Sequence, residues 1–193
     1  RGMTDPVWYF YLFWFPKYLF SERHLSTEQL LHFGWIVYLA AGIGTLAGGM
    51  LSGSLIWHGT DPGRAYRRTM LCSAFAVLVS PLAYVIPGIA MVIFFASIVA
   101  CAHMSWLTNL TAALLEVFPL AQLGKAAGLI AAGSALGGML SSEIIGYLVT
   151  HGGYRPVFLI MGCMHPLAIA LLWTAFEGKP ENALGAAPTQ EHA

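Results

Sequence analysis

Long apolar runs alternate along this chain with short polar or Gly/Pro-rich breaks. A helix needs about 20 mostly apolar residues to cross a hydrocarbon layer about 30 Å thick. Six runs fit that measure, roughly 5–20, 32–57, 69–86, 89–117, 126–150 and 156–176. The breaks hold the residues that interrupt helices. Positions 21–29 are polar, and positions 58–68 carry Gly59, Pro62, Gly63 and four charges. Pro87-Gly88 makes a tight turn, Phe118-Pro119 ends the fourth run, and Gly152-Gly153 ends the fifth. The pattern predicts an all-α integral membrane fold with six transmembrane helices over residues 1–176. From 177 to 193 the chain is rich in Ala, Pro, Gln and Glu, which predicts a disordered tail.

A second pattern lies inside the runs. Residues 48–53 read GGMLSG and residues 137–142 read GGMLSS, a spacing of 89 positions. At the same spacing Gly44-Thr45 matches Gly133-Ser134. The two stretches fall in the second and fifth runs, each the middle helix of a three-helix unit. Three is odd, so the second unit crosses the membrane in the opposite sense, which predicts a 3+3 inverted repeat. Phe15-Pro16 and Phe118-Pro119 match in the same way near the ends of the first helices. Small residues let helix backbones approach closely in lipid. Gly44, Gly48, Gly49, Gly133, Gly137 and Gly138 are therefore expected at a helix interface, either within the bundle or against a missing partner half.

Composition agrees with a membrane solvent. Only 9 % of residues are charged, 58 % are apolar, and mean hydropathy is +0.69. Soluble domains carry about 25 % charged residues. Net charge is zero, so nothing points to nucleic acid. Cys72, Cys101 and Cys163 all lie in apolar runs without metal-ligand spacing, so neither a metal nor another cofactor is expected. Arg1 stands directly before an apolar run, which suggests a chain that begins partway through a larger protein. Lys and Arg favour cytoplasmic loops. With the N-terminus inside, Arg1, Arg64, Arg67, Arg68, Lys125 and Lys179 lie inside, against Lys17, Arg23 and Arg155 outside. Both ends are thus expected to be cytoplasmic.

Four stretches together resemble a known family. They are residues 5–19 (DPVWYFYLFWFPKYL), Gly48 to Gly53 with the basic segment Gly63 to Thr69, His103 to Leu110 with Phe118-Pro119, and Gly137 to Met139 with Gly146-Tyr147 and Tyr154 to Phe158. The chain is similar to the C-terminal six-helix half of a major facilitator superfamily transporter, in the anion:cation symporter branch, near bacterial hexuronate and sugar-acid transporters. The resemblance implies proton symport of an organic anion by alternating access in a bacterial inner membrane. It also implies a missing N-terminal half and an interface along the second and fifth spans.

Polar groups inside membrane helices are costly, and they usually face a bundle interior or a water-filled cavity. His103, Trp106 and Asn109, spaced i, i+3, i+6, share about 120° of one helix face. An indole stacks on a sugar ring, and an amide or imidazole hydrogen-bonds hydroxyls. The stripe therefore suits a sugar acid, or else packs against helix neighbours. Trp8, Tyr11, Phe15 and Tyr18 share a face in the first run. Aromatics near span ends commonly anchor at the interface, and Tyr11, the deepest, is the expected substrate contact. His103 and Glu143 are candidates for proton coupling. Glu143 could titrate, pair with a neighbouring helix, or be solvated near the outer surface. No cation here forms a carboxylate clamp.

Two other functions compete. An intramembrane serine protease would need a G-x-S-G motif. Ser52-Gly53 follows Met50-Leu51 instead, and His165 has no matching serine motif. A stand-alone six-helix channel or structural subunit is the third reading, against which the inverted repeat weighs. The expected chain is a transporter and not an enzyme.

Overall fold

The computed structural model describes residues 1–177, with side chains as far as Leu172. The first segment joins α1 (Asp5–Tyr9), a π-helical turn (Phe10–Trp14) and α2 (Phe15–Ser21). There follow α3 (Thr27–Trp57), α4 (Pro62–Val77), α5 (Leu82–Val85), α6 (Ile89–Val117), α7 (Leu120–Gly152) and α8 (Arg155–Glu177). Among the described residues no strand occurs. Apart from Glu177, which ends α8, the expected tail and its Lys179 lie outside the described residues.

Five spans are long and apolar enough to cross a membrane: Thr27–Trp57, Pro62–Val85, Ile89–Val117, Leu120–Gly152 and Arg155–Leu172. The remaining expected crossing, 5–20, is the α1–π–α2 segment. At 1.5 Å per residue it reaches only about 25 Å. Pro16 explains its π turn. Proline has no N–H, and its ring crowds the carbonyl four residues back, here that of Leu12. The helix widens, so that the Phe15 N–H bonds to the Phe10 carbonyl. The Leu12 carbonyl instead accepts from the Tyr38 hydroxyl of α3 at 3.4 Å.

α3, α4 and α7 begin five or more residues ahead of their apolar runs, because polar or proline residues set their starts. Ser26 caps α3 with its hydroxyl on the Gln29 N–H at 3.2 Å, and the Gln29 side chain returns to the Ser26 N–H at 3.0 Å. Asp61 accepts from the Arg64 N–H at 3.1 Å, with Pro62 in the first turn of α4. Pro119 precedes α7. A hydropathy count cannot see these polar first turns. Pro81 then divides the third crossing between α4 and α5.

α3 packs chiefly on α6, α6 on α4, α4 on α8, and α1 on α7. The buried face of α3 is one stripe: Val37, Ala41, Gly44, Gly48 and Ser52. Its other faces remain apolar and exposed, as at Leu31, Trp35, Leu39, Leu46 and Met50. A helix apolar on all sides but buried on one belongs against lipid or another apolar body.

The glycines of the repeated stretches meet the first helix of the other unit. A Cβ on Gly44 would lie 2.1 Å from the Cys101 carbonyl oxygen, and one on Gly48 2.6 Å from the Ser105 Cα. Likewise a Cβ on Gly137 would lie 2.2 Å from the Gly2 carbonyl oxygen, and one on Gly138 2.4 Å from the Tyr9 ring. Gly49 has only Thr108 nearby, at 3.8 Å, and a Cβ on Gly133 would meet nothing within 4 Å.

The aromatic face of the first segment packs inward instead of forming a membrane-surface belt. Phe158 of α8 lies among the rings of Phe10, Tyr11, Phe15, Tyr18 and Tyr84, with centroids 4.9 to 6.5 Å away. Arg23 closes that end of the bundle. Its Nε donates to the Tyr18 hydroxyl at 2.6 Å, and Nη2 reaches the carbonyls of Tyr84 and Ile86.

Candidate functional site

Halfway along the bundle, polar side chains from several helices meet in an otherwise apolar interior. α6 supplies His103, Trp106 and Asn109, all buried. Their i, i+3, i+6 spacing puts them on the helix's inner stripe with Val92, Ala96 and Val99. Asn109 donates to the Gly48 carbonyl of α3 at 3.1 Å, and to the Ser105 carbonyl of its own helix at 2.9 Å. The Gly48 bond requires the close approach of α3 that glycine permits. The Asn109 side-chain oxygen, Oδ1, has no partner.

His103 and His165 pair across α6 and α8, with Nδ1 of His103 3.1 Å from Nε2 of His165. Trp8 lies parallel to His103 with ring centroids 6.0 Å apart. Trp106 meets His165 edge to face at 5.2 Å. The outer ring nitrogens, His103 Nε2 and His165 Nδ1, are buried without partners, as is the Trp106 N–H.

A carboxylate stands nearby on α1. Asp5 is 4 % exposed. One of its oxygens accepts from the Ser134 hydroxyl of α7 and from Arg1 Nε, the latter at 3.0 Å. The other oxygen, and the neighbouring Thr4 hydroxyl, are unpartnered. Gly2 packs beside Gly133 and Gly137, in the middle of α7. Arg1, expected among the cytoplasmic charges, sits against Asp5 of α1. Asp5, Trp8, Ser134 and His165 were not picked out as site residues from the sequence. The signal was present for His165, a lone polar residue in an apolar helix.

The other expected site residues stand apart. Tyr11 is buried, and its hydroxyl is 3.1 Å from the Ser80 hydroxyl at the break between α4 and α5. Glu143 is exposed on the face of α7 that also exposes Leu136, Leu140, Ile144 and Tyr147. Ser52 donates to the carbonyls of Gly48 and Gly49, while His165 pairs with His103. These two residues therefore form no nucleophile–base pair. Among the described residues no cluster of three metal-ligating side chains occurs.

A sequence model described as Major Facilitator Superfamily matches residues 7–192. The hexuronate transporter of Escherichia coli K12 is 24 % identical over 188 residues, covering 93 % of this chain and 42 % of that protein. A protein of Cupriavidus necator named "Probable sulfoacetate transporter SauU" is 32 % identical over 165 residues, 80 % of this chain and 36 % of its own length. The D-galactonate transporter of Escherichia coli O6:H1 is 23 % identical over 169 residues, 84 % of this chain and 37 % of its own. The chain spans about two-fifths of the length of these relatives. All three relatives are named as transporters, none as an enzyme.

Proposed function

This chain belongs to the major facilitator superfamily, and from that premise we propose that it forms the C-terminal six-helix half of a bacterial inner-membrane transporter. The cargo is an organic anion, a hexuronate or related sugar acid, moved with a proton by alternating access. The observation that carries this reading is the buried polar constellation of Asp5, His103, Trp106, Asn109, Ser134 and His165 inside an apolar helical bundle. Such groups are expensive in a membrane and mark substrate and ion paths. The relatives named for hexuronate, galactonate and sulfoacetate share one chemistry, a small hydrophilic anion.

The 3+3 inverted repeat is supported by paired contacts. Moving along the chain by the spacing between Phe15-Pro16 and Phe118-Pro119 takes Gly2 to Ser105, and the 89-residue spacing takes Gly48 to Gly137. Gly48 meets Ser105, and Gly137 meets Gly2. The two contacts are equivalents under one pseudo-two-fold relation. The partner half would cover the exposed apolar faces of α3 and α7. Arg64, Arg67 and Arg68 put the segment between α3 and α4 on the cytoplasmic side.

Trp106 and Asn109 form the substrate-facing stripe, with His103 beside the proton path, and Tyr11, apart from them beside Ser80, is a further substrate contact. All four are closed off in this state, so substrate reaches them only when helices part. Glu143 would face the partner half or the cavity between the halves. Binding tests this reading without a transport assay. Purified protein in detergent is heated with glucuronate, galactonate, sulfoacetate or glucose. Ligand at a hundred times its Kd stabilises by about 2.7 kcal/mol. An anion that raises the melting temperature, with glucose inert, is the expected result. Equal shifts with glucose and the anions, or no shift with any, would overturn the assignment.

A further inference from the structure

We propose that His103 and His165 act as a single unit that carries one proton, with Asp5 as its counter-charge; this rests on the proton-symport reading above. The geometry sets the chemistry. Two neutral imidazoles 3.1 Å apart share one N–H between Nδ1 of His103 and Nε2 of His165. Whichever ring donates, one outer nitrogen is then a bare lone pair and the other an N–H. One proton added to the bare nitrogen makes both outer nitrogens donors and leaves a single positive charge across the dyad. Nothing else is oxidised, reduced or transferred. A second proton would put two charges on adjacent rings and remove the acceptor of the shared bond.

Two aromatic rings and one carboxylate stand near the pair. Trp8 covers the His103 ring face at 6.0 Å, and Trp106 stands against His165 at 5.2 Å. Aromatic faces attract a cation, and more so where water is excluded. The charged side chains near the pair come from the first segment of the chain: Arg1 and Asp5. From α4, Met70 and Ala74 pack near Trp106, and α7 contributes the neutral Ser134 hydroxyl to Asp5. Asp5 keeps one oxygen unpartnered. Arg1 already offsets its charge through the other oxygen, so the carboxylate can favour a protonated dyad without fixing it permanently.

The pair also joins two helices. α8 packs mainly against α4, which also packs on α6, and the dyad joins α6 to α8 directly by a hydrogen bond. Both rings are 1 % exposed or less, so protons enter and leave only when α8 moves from α6. Proton loading and helix movement are thereby one event, as symport needs.

Two measurements on the transporter that contains this chain test the proposal. In the first, protein labelled with 15N-histidine is titrated, and the two rings are assigned with His103→Gln and His165→Gln. The expected result is one step that moves both rings together, with the His165 signal displaced in His103→Gln. Two separate steps, or no step in either ring, would overturn the dyad. In the second, proton uptake and glucuronate uptake are followed together in vesicles. Each single variant, and the double variant equally, should lower the wild-type ratio of protons to substrate by the one proton of the dyad on whatever uptake remains. An unchanged ratio in His165→Gln would overturn the proposal while leaving the transport reading intact. If wild-type protein moves none of the three anions, yet its two rings titrate as one, the transport reading fails and the dyad stands.

Discussion

A methyl group at position 44 tests how closely α3 and α6 must approach. In Gly44→Ala the new Cβ would lie 2.1 Å from the Cys101 carbonyl oxygen and 2.6 Å from that residue's Cα and carbonyl carbon. Those are backbone atoms in the middle of a helix, so no side chain can swing aside. Carbon contacts are comfortable only at about 3.5–4.0 Å, so the helices must part by about 1 Å. A radial gap of 0.5–1 Å forfeits about a quarter to a half of each dispersion contact. The loss falls on the interface that includes the buried stripe Val37, Ala41 and Gly48 on α3 and Cys101 and Ser105 on α6. Overpacking typically costs about 1–3 kcal/mol, against a helix-propensity gain of up to about 1 kcal/mol for replacing glycine by alanine. The net expectation is destabilisation. Gly42→Ala, two residues away with nothing within 4 Å of its Cβ position, keeps the propensity gain alone and should be neutral or slightly stabilised. Thermal unfolding of both variants in one detergent compares them directly. Equal melting temperatures would refute the close-packed α3–α6 seam.

Gly138→Ala should be milder than Gly44→Ala, because its Cβ meets the Tyr9 ring, which can rotate; unfolding midpoints check the order. Arg23→Lys should not rescue Arg23→Ala. An ammonium cannot reproduce the fork that joins the Tyr18 hydroxyl to the Tyr84 and Ile86 carbonyls, and bonds from a charged donor are worth about 1.5–3 kcal/mol each. Proteolysis of the segment between α5 and α6 reads the loosening. Asn109→Ala should cost about 1 kcal/mol of stability through the lost bond to Gly48, and also weaken anion binding; parallel melting and binding curves separate the two effects. His58→Cys, in a background without Cys72, Cys101 and Cys163, should react with an impermeant thiol reagent only after the cells are opened. Labelling of intact cells would reverse the proposed orientation.

The apolar runs announced their helices well, since lipid demands long apolar spans whatever the packing. The starts of α3, α4 and α7 lie ahead of the apolar runs because their capping residues, Ser26, Asp61 and Pro119, fall outside an apolar count. The first span, expected over 5–20, falls on the α1–π–α2 segment, while its π turn is invisible to hydropathy because Pro16 acts through backbone hydrogen bonding. Within the site, the α6 stripe was visible because its three polar positions share one helix and one face. Its partners were not, because they arrive from other helices. Asp5 reads from the sequence as the polar start of a span, and His165 as an isolated residue beside Pro166. Only the packing of α1, α6, α7 and α8 brings them together. The glycine repeat was legible as a repeat, while the surfaces that its glycines touch, Cys101, Ser105, Gly2 and Tyr9, required the structure.

Reconstituted into sealed vesicles with an acidic exterior, the transporter containing this chain should accumulate labelled glucuronate, galactonate or sulfoacetate above the level in protein-free vesicles. The uptake should saturate, and it should collapse when a protonophore dissipates the pH gradient. Uptake of none of the three anions above the protein-free level would contradict the organic-anion assignment, and uptake indifferent to the protonophore would contradict proton symport.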